Sequence, residues 1–275
     1  MLEIVPLPAF QDNYIWTLRS GDYAAVVDPG EARPVRDYLA REGLTLAAIL
    51  ATHHHPDHVG GIPELVAMRK VPVFGPKGEP IPALTHPVGQ DDRVEIPELA
   101  EAATASAPSS TAPAPSFTVP APSFTVLDIP GHTRAHVAYY GLGSLFCGDT
   151  LFACGCGRVF EGTAAQMLSS LSKLAALPDE TKVYCGHEYT LANIRFARAV
   201  DPDNAVLAAR EARAKRLRDA GRPTLPSTLG EERATNPFLR CAEPVVVESA
   251  NKYLGSRIGD PVSVFAAIRE WKNRF

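Results

Sequence analysis

Six consecutive positions of the chain hold four imidazole groups and one carboxylate. They are His53, His54, His55, Asp57 and His58, with a single proline at position 56. Histidines in a protein core usually occur singly, so packing alone does not explain this density. Imidazole and carboxylate groups are ligands for zinc, iron and manganese. The stretch therefore predicts a metal site, although these ligands do not choose the metal.

An apolar run at 46–51 precedes this stretch, and a helix-like segment at 63–68 follows it. The apolar run predicts a buried strand. The candidate ligands therefore lie on a loop at the end of a strand, which is where α/β folds concentrate their chemistry.

Three later segments each place one ligand-type residue at a predicted strand end or turn. His132 follows a Pro-Gly turn, Asp149 follows a strand and Gly148, and His187 follows a strand and Gly186. A neighbouring glycine permits close approach of the backbone. With the first stretch these residues make two sets of four potential ligands. So many ligands predict an open catalytic centre rather than a closed four-ligand structural site.

The N-terminal part predicts an antiparallel β start. Its strands are expected at 2–5, 14–18 and 23–28. Asp28 closes the third strand and is either a turn residue or a carboxylate that orients a metal ligand. An amphipathic helix follows and ends at Gly43. His86 lies outside any ligand spacing and is predicted as a loop residue.

Residues 98–126 depart from globular composition because alanine, proline, serine and threonine dominate. The heptapeptide PAPSFTV occurs at 113–119 and again at 120–126, which indicates a tandem duplication. The second copy is predicted to be a strand that continues to residue 129. The first copy belongs to an exposed insertion at about 99–119.

In the second half of the chain, the spacing of apolar residues changes from a strand pattern to a helix pattern near residue 189. Strands are predicted at 135–140, 144–150 and 182–185, and Thr163 is predicted to cap the helix that precedes the last of them. From Leu191 onward the pattern is helical and the strands are expected to stop. This change predicts a domain boundary.

Composition narrows the class of partner. The chain has 275 residues, 27 basic and 31 acidic, and a formal net charge of −4. Neither a nucleic acid nor a membrane is expected as a partner. No apolar stretch reaches about 18 residues and the N-terminus lacks a signal-peptide pattern, so we expect a cytoplasmic protein. Its 5 cysteines suit a reducing compartment and structural roles.

Six motifs of the chain resemble those of a known family. They are THHHPDH at 52–58, PGHT at 130–133, GDTLF at 148–152, GCGR at 155–158, GHEYT at 186–190 and NPFLR at 236–240. The chain resembles the metallo-β-lactamase superfamily and, within it, the hydroxyacylglutathione hydrolase (glyoxalase II) family. The resemblance implies a four-layer αββα sandwich over residues 1–188 and a small helical substrate-binding domain over residues 189–275.

The resemblance also implies a binuclear centre with two divalent metal ions, zinc being favoured over iron or manganese. One metal would be held by His53, His55 and His132, and a second by Asp57, His58 and His187, with Asp149 bridging both. His54 is left out of this set. The catalytic carboxylates would be Asp57 and Asp149, with a hydroxide between the metals as nucleophile. The implied reaction is hydrolysis of S-D-lactoylglutathione to glutathione and D-lactate by a monomeric enzyme.

The substrate residues implied by the resemblance lie near the domain junction. They are Arg158, Tyr189, Arg269 and Lys272. The i to i+3 spacing of the last two places both cations on one helical face. The chain departs from the family at Arg158, where lysine is frequent, and at Phe160, where a hydroxylated aromatic is frequent. We expect these departures to weaken or shift substrate affinity without changing the chemistry.

Four other functions fit the sequence less well. A mononuclear-iron persulfide dioxygenase would keep the fold, but the second ligand set and the helical C-terminal part argue against it. That C-terminal part also argues against a β-lactamase. The mild acidity argues against a tRNA-processing nuclease. A zinc-stabilised binding domain would need a closed site.

Overall fold

A computed structural model describes residues 2–100 and 121–275. The predicted insertion at about 99–119, apart from its first two residues, lies outside the described residues. The first copy of the heptapeptide lies outside them as well. The second copy enters a strand that begins at Ser123, as the duplication predicts.

The first sheet has six strands in sequential order. They are β1 (Glu3–Ala9), β2 (Asn13–Ser20), β3 (Tyr23–Val27), β4 (Thr45–Leu50), β5 (Val73–Pro76) and β6 (His86–Val88). The first three strands are antiparallel, and β3 to β6 are parallel. His86 begins β6, so its prediction as a loop residue is wrong. The strand is too short, at 3 residues, to give a readable alternation.

The remaining strands form a second sheet and a small hairpin. They are β7 (Arg93–Glu95), β8 (Ser123–Asp128), β9 (Val137–Gly141), β10 (Ser144–Gly148), β11 (Leu151–Phe152), β12 (Gly155–Cys156), β13 (Lys182–Cys185) and β14 (Ser227–Thr228). The sheet order is β14-β13-β10-β9-β8-β7, and β11 pairs with β12. Because β14 pairs with β13, the prediction that strands stop at Leu191 is wrong. Two residues at a sheet edge leave no periodic signal.

The helices cover both outer faces and form the C-terminal part. They are α1 (Ala32–Glu42), α2 (Pro56–Val59), α3 (Ile62–Met68), α4 (Ala164–Ala175), α5 (Thr190–Val200), α6 (Ala205–Asp219), α7 (Leu229–Thr235), α8 (Pro244–Leu254) and α9 (Pro261–Arg274). Short 3₁₀ turns occupy Pro97–Leu99 and Pro237–Leu239. Gly43 ends α1 with a positive φ of 67°, and Thr163 caps α4, both as predicted.

Two apolar clusters account for the layers. One packs α1 and α3 against the outer face of the first sheet, through Val35, Ile49 and Leu65. The other joins the inner faces of both sheets to α4 and to the C-terminal helices. The order helix, sheet, sheet, helix agrees with the predicted αββα sandwich. No helix within the described residues has the length and apolar character needed to span a bilayer.

The β11–β12 hairpin is held by a buried polar group of the C-terminal part. Glu232 accepts hydrogen bonds from the Cys154 backbone N–H at 2.8 Å and from a buried guanidinium, that of Arg210. Asn236, from the NPFLR motif, donates to the backbone oxygens of Phe152 at 3.1 Å and Gly155 at 2.9 Å. The hairpin leads directly to Arg158, so the C-terminal part positions that residue. All five cysteines lie within the described residues, are buried and form no disulfide.

Candidate metal centre

The first ligand cluster contains three imidazoles. His53 Nε2 lies 3.1 Å from His55 Nδ1, and His132 Nε2 lies 3.0 Å from the same atom. The loop after β4 carries His53 and His55, and the loop between β8 and β9 carries His132. Three nitrogen atoms therefore converge on one point within 4.8 Å of one another. A small cation at this point satisfies all three lone pairs, which hydrogen bonds between the rings cannot do together.

The second cluster contains one carboxylate and two imidazoles. Asp57 Oδ2 lies 3.5 Å from His58 Nε2 and 3.4 Å from His187 Nε2. The short helix α2 carries Asp57 and His58, while His187 follows β13. The three donor groups again lie within 4.8 Å of one another.

Asp149 lies between the two clusters. Its Oδ2 is 3.5 Å from His132 Nε2 and 3.3 Å from His187 Nε2, and its Oδ1 is 3.4 Å from His58 Nε2. The residue follows β10 directly, as the sequence indicates. One carboxylate can therefore reach a cation at either cluster.

Two buried atoms of the centre test whether metal ions fit it. Within the described residues, His58 Nε2 and Asp149 Oδ1 are buried without a hydrogen-bond partner. An unsatisfied buried polar atom costs about 1–3 kcal/mol. Both atoms point at the second cluster, so a bound cation would satisfy them. The donor set of imidazoles and carboxylates also fits zinc, iron or manganese.

Four imidazoles of the two clusters are oriented by contacts on the side of the ring that faces away from the centre. Their Nδ1 atoms contact Thr52 Oγ1 (from His53, 3.0 Å), Asp28 Oδ2 (from His58, 3.1 Å), Arg158 O (from His132, 2.8 Å) and Asp12 Oδ1 (from His187, 2.8 Å). Such partners fix the ring and the tautomer, so that Nε2 faces the centre. The sequence left two roles open for Asp28, and its position favours the orienting role.

Three residues at the centre carry no recognisable signal in the sequence. His136 stacks on His53 at 4.5 Å between ring centroids and accepts the Asp149 backbone N–H at 3.3 Å. Asn13 Nδ2 donates to Asp57 Oδ2 at 3.0 Å. Asp12 contacts His187 across 175 residues of sequence. Ligand spacing and periodicity are local properties, so they do not reveal contacts of this kind.

At the first ligand cluster, the local electrostatics match the protonation that metal binding requires. Burial and the neighbouring imidazoles hold the pKa of His53 well below its ordinary value, and burial also lowers the pKa of His132. These rings are therefore neutral and free to donate lone pairs. Burial alone would raise the pKa of Asp149, but His58 and His187 outweigh it and hold that pKa well below its ordinary value.

A cavity of about 410 Å³ opens beside the centre. His132 and Asp149 line it, and so do all four predicted substrate residues, Arg158, Tyr189, Arg269 and Lys272. The Tyr189 ring stacks on His187 with 4.7 Å between centroids. Phe160 is 59% exposed and packs its ring 5.3 Å from that of His132. The cavity therefore has a charged side on α9 and an aromatic side near the two ligand clusters.

The two cations of α9 differ in their surroundings. Arg269 is buried and donates from Nη1 to the Cys156 oxygen at 2.7 Å, so it also ties α9 to the β11–β12 hairpin. Lys272 Nζ donates to Asn193 Oδ1, and Asn193 Nδ2 donates to the Ala153 oxygen at 3.0 Å. Asn193 is a further cavity residue for which the sequence carries no signal.

Two family models together match residues 10–275, and relatives match the whole chain. A model described as metallo-beta-lactamase superfamily matches residues 10–187, and one described as hydroxyacylglutathione hydrolase C-terminus matches residues 188–275. The chain is 52% identical over 275 residues to a hydroxyacylglutathione hydrolase from Nitrosomonas eutropha, with 100% of both chains covered. It is 51% identical over 275 residues to one from Nitrosomonas europaea, covering 100% of this chain and 97% of that relative.

A likeness to a solved structure extends over nearly the same length. The crystal structure of ETHE1 from Myxococcus xanthus has a TM-score of 0.61 and 23% sequence identity, and the match covers 99% of this chain and 98% of that one. At this identity the likeness shows the fold alone.

Proposed function

Because the chain belongs to the hydroxyacylglutathione hydrolase family of the metallo-β-lactamase superfamily, we propose that it cleaves S-D-lactoylglutathione to glutathione and D-lactate. This is the hydrolytic step of methylglyoxal detoxification. One observation carries the proposal: Asp149 lies between two ligand clusters at the edge of a cavity that cationic side chains line. Such a site suits an anionic substrate with a hydrolysable bond.

The proposed centre holds two divalent metal ions per chain, with zinc favoured. The first cluster, His53, His55 and His132, would bind one ion, and the second, Asp57, His58 and His187, would bind the other, with Asp149 shared. Metal ions held there would lower the pKa of water from about 15.7 to about 7 and so supply a hydroxide nucleophile at neutral pH.

The side chains around the centre carry the remaining roles. Asp57 and Asp149 are the proposed catalytic carboxylates, and Asn13 holds Asp57 Oδ2 in place. Lys272 and Arg158 would bind the carboxylates of glutathione. Tyr189 would contact the peptide part, and Phe160 would pack against the substrate without donating a hydrogen bond. The leaving thiol has an ordinary pKa of about 8.5, so thiolate departure does not require a dedicated general acid.

Lys272 predicts a pH dependence of substrate capture. Burial, together with the charge of Arg269, lowers the pKa of Lys272 to about 8. The ammonium is charged below this pKa and attracts carboxylates, and it is neutral above it. We therefore expect kcat/KM, which reports the free enzyme, to fall as the pH rises through about 8. Initial rates at several pH values, corrected for uncatalysed thioester hydrolysis, measure this.

A matched variant isolates the lysine. Arginine keeps its charge throughout this range, so Lys272→Arg should lose the decline on the alkaline side. An alkaline decline of the same size in both proteins would contradict the role given to Lys272.

A substrate panel tests the function itself. Purified, metal-replete protein is given S-D-lactoylglutathione, a β-lactam and a phosphodiester, and the metal content per chain is measured in parallel. We expect hydrolysis of the thioester and two metal ions per chain. Failure on the thioester with turnover of another substrate would overturn the proposal. A single iron per chain would favour the persulfide dioxygenase instead.

The organisation of the chain is part of the proposal. We propose a catalytic domain at 1–188 and a substrate-binding domain at 189–275, because Lys272 and Arg269 reach the cavity from α9. We also propose that the chain acts as a monomer, because the two ligand clusters and the cavity need no residue of a second copy. The buried cysteines, none of them in a disulfide, support a cytoplasmic location. The net charge of −4 favours neither a nucleic acid nor an anionic membrane as a partner.

A further inference from the structure

A second buried carboxylate lies near the metal centre and belongs to neither ligand cluster. Glu79 is in the loop between β5 and β6, and its side chain is buried. It accepts hydrogen bonds from the His54 backbone N–H at 2.8 Å and from His54 Nδ1 at 3.0 Å. It also accepts from Thr133 Oγ1 and from the Ala135 backbone N–H at 3.0 Å. We call these four residues the Glu79 network.

The donors of this network come from the two loops that form the first ligand cluster. His54 lies between His53 and His55, and Thr133 follows His132 directly. Each Glu79 oxygen serves one loop: Oε2 accepts both bonds from His54, and Oε1 accepts both bonds from Thr133 and Ala135. One carboxylate therefore joins two loops that are distant in the sequence.

We propose that Glu79 and His54 are positioning residues. They would hold the imidazole rings of His53, His55 and His132 in the arrangement that one metal ion requires. This inference rests on the proposed metal assignment of the first cluster. It gives a function to His54, the imidazole that the ligand set leaves out. A carboxylate only accepts hydrogen bonds, so the His54 Nδ1 atom carries the hydrogen and the ring turns away from the centre. Loss of a residue that orients metal ligands without binding the metal itself typically weakens metal binding about 10- to 100-fold.

The second cluster does not depend on this network. Its imidazoles are oriented by Asp28 and Asp12, and Asn13 holds Asp57. The proposal therefore predicts an unequal effect on the two metal ions. A purely structural role for Glu79 would lower the melting temperature without separating the two binding steps.

The test is a Zn²⁺ titration of the metal-free full chain against a chromophoric chelator, for the wild type and Glu79→Gln. The amide of Glu79→Gln keeps the size of the side chain. It replaces one accepting oxygen with an NH₂ group, which then faces hydrogen-bond donors. We expect one Zn²⁺ equivalent to bind about 10- to 100-fold more weakly, while the other changes much less. Co²⁺ absorption spectra of the same proteins report the geometry of the altered site.

Two further variants keep the test decisive. Thr133→Val removes one of the four donors, leaves the carboxylate paired, and should give a smaller loss at the same equivalent even if Glu79→Gln does not fold. Asp201→Asn alters another buried carboxylate, which accepts hydrogen bonds from Arg240 and Asn204 and contacts neither ligand loop. It should lower the melting temperature while leaving both Zn²⁺ affinities unchanged.

The outcomes separate this inference from the proposed function. Wild-type affinities at both equivalents in Glu79→Gln and Thr133→Val would overturn the positioning role while leaving the hydrolase intact. An equal loss at both equivalents that Asp201→Asn shares would also overturn it, because the effect would then be general destabilisation. A wild-type protein that binds no Zn²⁺ would instead overturn the metal assignment on which both proposals rest.

Discussion

Asp149→Ala is expected to lose both metal ions and nearly all activity. The two Asp149 oxygens lie 3.3–3.5 Å from His58, His132 and His187, so the substitution removes a ligand from both clusters at once. It also leaves His58 and His187 without the carboxylate that raises the pKa of each above its ordinary value, although burial lowers both. Among the described carboxylates of the centre, Asp57 would then be the one that remains near the Nε2 atoms of both rings.

The expected loss exceeds that of a single electrostatic contact. Removing one preorganised donor in an active site costs about 100- to 1,000-fold in kcat. We expect the kcat/KM of Asp149→Ala to fall by more than about 1,000-fold, because binding of both metal ions depends on Asp149. Metal analysis after purification and kcat/KM on S-D-lactoylglutathione measure the effect. Asp203→Ala, at an exposed carboxylate, is the control and should match the wild type. A variant that retained two metal ions would contradict the bridging position.

The double substitution Arg269→Ala and Lys272→Ala is expected to raise KM far more than it lowers kcat. Both cations line the cavity away from the atoms that react, so they bind substrate and transition state alike. A hydrogen bond to a charged group contributes about 1.5–3 kcal/mol, so removing one such bond weakens substrate affinity roughly 10- to 100-fold. We expect kcat to change only a few-fold.

The single variants separate binding from support of the fold. Lys272→Ala should account for most of the rise in KM. Arg269→Ala should also lower the melting temperature, because it removes the hydrogen bond to the Cys156 oxygen. Arg274→Ala, an exposed position on the same helix, is the matched control and should leave KM unchanged. An unaltered KM in the double variant would show that the cavity does not bind the anionic part of the substrate.

Much of the local structure followed from the sequence. The apolar run before the histidines forms β4, and Gly43 and Thr163 end and begin helices where the pattern predicts. These features depend on neighbours within a few residues, through periodicity, capping and φ preference, so they can be predicted without tertiary information. The short edge strands β6 and β14 were not predicted, because two or three residues are too few to show an alternation of apolar and polar side chains.

The composition of the candidate centre was also evident in the sequence. Ligand-type residues next to strand ends indicated all seven positions together with His54. The resemblance left His54 out and assigned the seven to two metal ions. Their chemistry depends only on residue type, and strand ends of an α/β sheet meet at a common edge.

Only the tertiary structure decided how these ligands are held. Asp12 meets His187 across 175 residues, and Glu79 joins the loops of His54 and Thr133. His136 supports Asp149 from within the sandwich. The contacts of Asp12 with His187 and of Glu79 with Thr133 require the two sheets to pack face to face, whereas His136 reaches Asp149 because β9 and β10 pair within one sheet. A hydrogen bond between distant loops leaves no trace in local spacing. The sequence by itself therefore determined which groups could bind metal, and the packing of the sheets determined their orientation.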